Sequence, residues 1–178
     1  IVNRIKDNFK DLIVIGMGGS VLNPESLINL NSNNLNSRTK VHFLNNTDPI
    51  YFRKLLSTIS LINCAVLAIS NSGQTLETNA LVGAMISEFE KNNINSIGNR
   101  FFFITKPDSG ILSEIAARIS ATLIEHMPNI SGRFSSLTNV TTLAAAVAGA
   151  EVEDYIDGAE GVIKDFLYNQ ESNEAVYS

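Results

Sequence analysis

The sequence contains few of the residues that build disulfides and metal centres. Its 178 residues include one cysteine, Cys64, and two histidines, His42 and His126. A single cysteine excludes a disulfide within the chain, and these three residues give no metal-ligand motif. We therefore expect no metal site. We expect Cys64 to pack in the core, His42 to be a structural strand residue and His126 to lie in a solvated loop.

Long apolar segments, basic clusters and a secretory leader are missing as well. The longest apolar runs, Cys64–Ile69 and Leu143–Ala150, are far shorter than the roughly 20 residues of a membrane helix. The net charge is −5 without a basic block, which argues against a nucleic-acid surface. The first residues lack the apolar core and the cleavage site of a signal peptide. We expect a cytoplasmic protein with neither membrane nor nucleic-acid partners.

Short apolar runs alternate with longer amphipathic ones along the whole chain. The predicted strands are Leu12–Ile15, Val41–Leu44, Ala65–Ile69, Phe101–Thr105 and Ala121–Ile124. The predicted helices are Ser20–Leu30, Asp48–Ser60, Thr75–Lys91, Ser109–Ile119, Ser135–Ala148 and Val152–Leu167. Nearly continuous apolar strands are typical of a parallel sheet that is covered on both faces. The pattern therefore predicts one α/β domain, a doubly wound five-stranded parallel sheet flanked by helices.

A glycine-rich loop follows the first predicted strand. Residues 16–20 read Gly-Met-Gly-Gly-Ser, so little side-chain bulk covers the backbone N–H groups before the next helix. The third glycine of a dinucleotide fingerprint would fall at Val21, and the Gly-Lys-Ser/Thr of a Walker loop is absent. The loop is therefore either a generic anion-binding loop or a tight turn between strand and helix.

A second loop of small and hydroxyl residues follows the third predicted strand. Residues 70–75 read Ser-Asn-Ser-Gly-Gln-Thr and lead into a helix. Gly73 permits close backbone approach, and the hydroxyl groups add donors at the helix start, as a phosphate cradle requires. A plain helix cap at Thr75 explains part of the pattern. Because ligands of doubly wound sheets bind beyond the carboxyl ends of the strands, we expect both loops at one sheet edge.

A third segment places an arginine between the last predicted strand and the following helix. Residues 130–135 read Ile-Ser-Gly-Arg-Phe-Ser. A fixed guanidinium charge at Arg133 suits a developing oxyanion at the same edge. The alternative is a surface arginine that pairs with an acidic side chain.

Together these segments resemble the glucose-6-phosphate isomerase family in its first sugar-isomerase (SIS) domain. The segment Ile15–Ser20 is similar to the family's Gly-Ile-Gly-Gly-Ser loop, and Asn46–Pro49 matches Asn-Thr-Asp-Pro. The segment Ser70–Glu77 resembles the family's phosphate loop, Ser-Lys-Ser/Thr-x-Thr-Thr-x-Glu, and Ile130–Ser135 resembles Val-Gly-Gly-Arg-Phe/Tyr-Ser. The order and spacing agree over nearly the whole chain.

The resemblance implies a function and a set of site residues. The phosphate-binding residues it implies are Gly19, Ser20, Ser70, Asn71, Ser72, Gly73, Gln74 and Thr75. It implies that Arg133 is catalytic and stabilises an enediolate as glucose 6-phosphate is converted to fructose 6-phosphate. In the family a glutamate moves the proton, a histidine helps to open the ring, and neither a metal nor an organic cofactor takes part.

The chain also departs from the family pattern. Asn71 stands where lysine is usual, Gln74 replaces a common threonine, and Ser131 replaces glycine. The family's catalytic glutamate, histidine and lysine lie beyond the arginine motif, and no later segment of this sequence matches them.

The family's organisation sets our expectation for the domains. We expect residues 1–168 to form the SIS domain and the polar tail 169–178 to lead toward a second SIS domain, in a parent that is a homodimer. The first residue, Ile1, is not methionine, so we expect a piece of a longer protein. A stand-alone SIS domain that senses a sugar phosphate, and another sugar isomerase or an amidotransferase, remain alternatives.

Overall fold

The structure is a computed structural model that describes residues 1–31, 35–107 and 110–168. The strands are β1 (Asp11–Ile15), β2 (Lys40–Leu44), β3 (Cys64–Ile69), β4 (Phe101–Thr105) and β5 (Thr122–Glu125). The α-helices are α1 (Val2–Asn8), α2 (Gly19–Leu30), α3 (Pro49–Leu56), α4 (Leu76–Lys91), α5 (Gly110–Arg118), α6 (Asn139–Ala148) and α7 (Val152–Tyr168). Within these described ranges, short 3₁₀ turns occur at Leu61–Asn63, Ile97–Asn99 and Gly132–Phe134.

All five strands pair in parallel in the order β2-β1-β3-β4-β5. Strands β1 and β3 are neighbours near the middle of the sheet, and Ile15 lies opposite Ala68 in their register. The strand order reverses between them, and in such sheets the crevice at the reversal is where ligands bind. The architecture confirms the predicted α/β fold with a parallel sheet.

The central strands are buried because an apolar cluster covers each face of the sheet. Their side chains point alternately into the two clusters. Every residue of β3 and β4 is buried. Val66 and Ala68 pack with α4 and α5 on one face, whereas Leu67 and Ile69 pack with α1 and α6 on the other. Burial also raises the pKa of the Cys64 thiol to about 12, with a smaller contribution from the nearby charge of Asp11. The predicted core role of Cys64 is therefore confirmed.

Several element boundaries differ from the sequence prediction. The helix predicted from Asp48 to Ser60 ends at Leu56, although its start is as expected, because Asp48 Oδ1 accepts a hydrogen bond from Ile50 N at 2.7 Å. Helix α1 was not predicted. The predicted tail, residues 169–178, and residue 109, where the fourth helix was predicted to start, lie outside the described residues.

A second boundary error of four residues concerns α6, for which the predicted start is Ser135 and the observed start is Asn139. Ser135 Oγ donates to Gly132 O at 2.7 Å, so its side chain closes a 3₁₀ turn instead of continuing a helix. Thr138 then caps α6 by accepting a hydrogen bond from Val140 N. The residues around Arg133 are consequently a separate turn that precedes the helix.

Candidate functional site

The two glycine and hydroxyl loops lie side by side at the carboxyl edge of β1 and β3. A Cβ atom on Gly16 would lie 3.1 Å from Ile69 O, so the first loop starts in contact with the strand that leads into the second. The predicted placement of both loops at one sheet edge is confirmed. No group of three or more His, Cys, Asp or Glu side chains suited to a metal ion occurs within residues 1–31, 35–107 and 110–168.

The first loop exposes backbone donors at the start of α2. Gly18 has a φ of +56°, a left-handed conformation that favours glycine, and it precedes the first helical residue, Gly19. In the described part of the chain, the N–H groups of Met17 and Gly18 have no hydrogen-bond partner. Ser20 is buried, with an exposed fraction of 7%. Its hydroxyl group also makes no hydrogen bond with any described residue. The loop therefore offers unpaired donors beside a helix N-terminus, where the dipole favours an anion.

The second loop holds its own shape through hydroxyl groups. Ser70 Oγ and Thr75 Oγ1 are 3.0 Å apart, and Ser70 Oγ accepts a hydrogen bond from Gly73 N at 3.2 Å. Ser72 Oγ accepts from Gln74 N at 3.2 Å. An accepting hydroxyl keeps its own proton for another acceptor. Ser72, and one member of the Ser70–Thr75 pair, can therefore still donate to a bound anion.

Helices α4 and α5 also support the second loop, through hydrogen bonds to its backbone. Asn79 Nδ2 donates to Gly73 O at 3.2 Å, and Leu112 N donates to the same oxygen at 3.1 Å. A Cβ atom on Gly110 would lie 2.6 Å from Ser72 O, so only glycine permits this approach. These supporting residues were not predicted, because nothing in the sequence pattern links α5 to a loop nearly forty residues away.

The turn that carries Arg133 contacts both loops. A Cβ atom on Gly19 would lie 2.1 Å from Gly132 O, which means that the two backbones touch. Asn23 Nδ2 donates to Gly132 O at 3.0 Å, and Asn71 Nδ2 donates to Ile130 O at 3.0 Å. The three segments singled out in the sequence therefore meet at one place.

Arg133 itself is exposed beside this junction. Its guanidinium makes no ion pair or hydrogen bond with any described residue, so the alternative of an arginine paired with an acidic side chain is not observed within that part of the chain. A guanidinium without a partner among the described residues, next to one loop with unpaired N–H groups and another with free hydroxyl protons, is suited to a ligand that carries negative charge.

The two histidines differ in how well the sequence predicted them. His42 Nε2 lies 2.7 Å from Asp11 Oδ1 across β2 and β1, as expected of a structural residue. The prediction of a solvated His126 is wrong, because its exposure is 1%. His126 N donates to Thr105 O at 2.9 Å, which extends the sheet pairing past β5 and carries the ring inward. Its Nδ1 lies 3.1 Å from Met127 O.

The fold defines a class of protein, the SIS-type α/β domains, and here two glycine and hydroxyl loops lie together at the β1 and β3 edge. Within this class, the family model "Phosphoglucose isomerase" matches residues 3–176. The chain belongs to the phosphoglucose isomerase family.

Curated relatives agree with this assignment, and solved structures share the fold. The glucose-6-phosphate isomerase of Clostridium tetani is 32% identical over 97% of this chain and 41% of the relative. A hypothetical protein from Thermus thermophilus has 29% identity and a TM-score of 0.81, over 93% of this chain and 40% of its own. The fold of a glucose-6-phosphate isomerase from Chlamydia trachomatis is also similar, with a TM-score of 0.82 at 24% identity, over 94% and 32% of the two chains. The chain spans about two fifths of the length of the curated relatives it matches.

Proposed function

We propose that this chain is the sugar-phosphate-binding SIS domain of a glucose-6-phosphate isomerase. The parent protein would convert glucose 6-phosphate to fructose 6-phosphate through an enediolate. The observation that carries this proposal is the contact of all three motif segments at the β1 and β3 edge, in a chain of the phosphoglucose isomerase family.

The phosphate group would bind between the two loops. Gly19 and Ser20 contribute from the first loop, and the backbone and the hydroxyl groups of Ser70–Thr75 contribute from the second, whereas the Asn71 side chain bonds to Ile130 O instead. The support for this role is the unpaired N–H groups, the free hydroxyl protons and the helix N-termini of α2 and α4. The net charge of −5 leaves the binding to local dipoles and to Arg133 rather than to the overall charge of the protein.

Arg133 would face the reacting end of the sugar. Its positive charge stabilises the enediolate oxygens as they gain negative charge. A guanidinium stays protonated near neutral pH, so it cannot carry the proton between C1 and C2. We infer that the base and the ring-opening residue come from a second SIS domain of the parent, and that the parent is a homodimer.

Binding is tested by titrating glucose 6-phosphate against the 178-residue chain and a Ser72→Ala/Thr75→Ala variant. The loss of two hydroxyl donors should cost about 1–3 kcal/mol of binding free energy. The matched control is Ser57→Ala/Thr58→Ala, which removes two hydroxyl groups that donate to carbonyls at the end of α3, outside the site. Equal affinity of the Ser72/Thr75 variant and the unsubstituted chain would place the phosphate elsewhere.

Activity is tested with a coupled dehydrogenase assay. We expect the 178-residue chain to bind glucose 6-phosphate without turnover, and robust turnover would mean that the chain contains its own base. In a full-length parent, Arg133→Ala should lower kcat more than it raises KM, because the charge matters most when the enediolate forms. A parent that binds sugar phosphates but never turns them over would support the sensor function instead.

A further inference from the structure

Two asparagine side chains hold the turn that carries Arg133. Asn23, from α2, donates through Nδ2 to Gly132 O at 3.0 Å and lies 3.1 Å from Ser135 Oγ. Asn71, from the second loop, donates through Nδ2 to Ile130 O at 3.0 Å. Both amides therefore bond to the backbone just before Arg133, one from α2 and one from the second loop.

We propose that Asn23 and Asn71 are positioning residues that fix Arg133 against the phosphate loops. This inference rests on the proposed function and adds to it the groups that connect phosphate binding to the arginine. Neither asparagine is required to touch the sugar. Each acts through the backbone of the Arg133 turn.

The turn needs such support because it has little structure of its own. Residues Gly132–Phe134 form a single 3₁₀ turn, whose hydrogen bonds have poorer geometry than those of an α-helix. Phe134 is 76% exposed, so apolar burial does not anchor the turn. Within the described residues, the hydrogen bonds that join residues 130–134 to segments distant in sequence are those from Asn23 and Asn71.

The side-chain amide of Asn71 costs folding free energy, which indicates that it has a specific role. Its Oδ1 atom is buried without a hydrogen-bond partner among the described residues. A buried acceptor without a partner destabilises a fold by about 1–3 kcal/mol. In the family resemblance this position is usually lysine, whose charge would assist phosphate binding. The asparagine gives up that charge and keeps a short, rigid donor that reaches Ile130 O.

The arrangement couples the two ends of the ligand. Phosphate bound at Ser70–Thr75 would contact the loop that contains Asn71, and Asn71 in turn bonds to Ile130 O, three residues before the arginine. Asn23 makes a similar connection from the side of the first loop, because it lies one helical turn after Gly19 in α2. Removal of either amide should therefore weaken contacts at the sugar end and leave the phosphate contacts intact.

The test is a double-mutant cycle with two probes. Inorganic phosphate reports on the loops alone. Arabinonate 5-phosphate also carries a carboxylate in place of the enediolate, with hydroxyl groups arranged as on C3–C5 of glucose. Affinities are measured by calorimetry for Asn23→Ala and Asn71→Ala, each in the unsubstituted chain and together with Arg133→Ala. The control is Asn92→Ala, which removes a similar amide-to-carbonyl bond, 2.8 Å to Glu88 O, at the far end of α4.

We expect each asparagine variant to bind the aldonate about three- to tenfold more weakly, the effect of losing its hydrogen bond to a backbone carbonyl just before Arg133, with phosphate affinity unchanged. In the Arg133→Ala background neither substitution should weaken binding further, because the group it positions is gone. Asn92→Ala should leave both affinities unchanged. If an alanine variant fails to fold, Asn23→Ser or Asn71→Ser takes its place, since serine is too short to reach the carbonyl.

Three results would overturn the inference. The first is full additivity with Arg133→Ala, which would mean that the asparagines act independently of the arginine. The second is an equal loss of affinity for both probes, which would assign the asparagines to the phosphate site itself. The third is unchanged aldonate affinity in both variants. An unsubstituted chain that binds neither probe would overturn the proposed function, and with it this inference.

Discussion

Helices α6 and α7 follow each other in the chain and differ completely in their surroundings. Seven of the ten residues of α6 are buried, and none of the seventeen residues of α7 is. Only Gly149–Glu151 separate them, and Gly149 ends α6 with a φ of +93°. Two helices with apolar faces, within the same thirty residues, therefore differ in burial: α6 is mostly buried and α7 is not.

The difference shows what burial contributes to the site. The apolar face of α6 packs on the sheet through Val140, Leu143 and Val147 and fixes the helix that follows the Arg133 turn. Within the described residues, helix α7 joins an apolar cluster at its start, where Val152 and Tyr155 pack near Leu27. Beyond that point its exposed apolar residues are Ile156, Val162, Ile163, Phe166, Leu167 and Tyr168. Amphipathic periodicity predicts that a helix forms, and tertiary packing decides whether it is held.

The comparison is tested most strongly by the reactivity of two thiols. Cys64 is buried with a pKa of about 12, whereas a Val162→Cys thiol on α7 would be exposed. At pH 8 the difference in thiolate fraction alone should make the α7 thiol about a thousandfold more reactive. Alkylation followed by peptide mapping measures both rates in one protein. Similar rates would mean that the interior of the sheet opens as readily as the surface helix.

The next largest effect is expected at the contact between α2 and the Arg133 turn. Gly19→Ala places a Cβ atom against the backbone of Gly132, which cannot move without releasing the turn. We expect a loss of about 2–3 kcal/mol in the free energy of unfolding, together with weaker aldonate binding.

The matched control for this substitution is Gly83→Ala in α4, where a new Cβ atom meets nothing within 4 Å. There alanine should stabilise the helix by about 0.5–1 kcal/mol. Denaturant unfolding of both variants gives the two values. The packing argument fails if Gly19→Ala is as stable as Gly83→Ala.

The sequence predicted the parts of the fold that depend on local pattern. The continuous apolar run of Phe101–Thr105 became β4 with the predicted bounds, and the two glycine and hydroxyl loops came together because they follow adjacent parallel strands. Parallel topology places such loops at one edge without further information. The family resemblance then assigned them a shared ligand.

The parts that were missed depend on contacts between distant residues. Asn23 and Asn71 bond to carbonyls more than fifty residues away, and no local pattern indicates such a pair. His126 was expected in solvent, but one additional sheet hydrogen bond carries it inside. The start of α6 was placed too early because Ser135 uses its side chain to close a turn, a choice that helix periodicity does not reveal.

A single substitution made in both helices compares their burial directly. Val147 in α6 is fully buried, and Val162 in α7 is 58% exposed. Val147→Ala should cost about 2 kcal/mol, since it leaves a cavity in the core. Val162→Ala should change the free energy of unfolding by less than about 0.5 kcal/mol. Denaturant unfolding gives both numbers, and equal losses would show that α7 is packed as tightly as α6.

The smallest expected effect comes from the glycines inside α7. Gly158 and Gly161 have open space where a Cβ atom would lie, so alanine meets no clash at either position. Alanine restricts the unfolded chain and should favour the helix by about 0.5–1 kcal/mol at each site. Because no residue of α7 is buried, this gain should appear as slower amide exchange in α7 rather than as greater global stability. Gly149→Ala is the contrasting variant, and we expect it to destabilise the protein. Residue 149 has a φ of +93°, and a Cβ atom there would lie 2.8 Å from the Asn36 backbone. If Gly158→Ala instead raises the midpoint of global unfolding, α7 unfolds together with the core, and the contrast between the two helices is one of exposure alone.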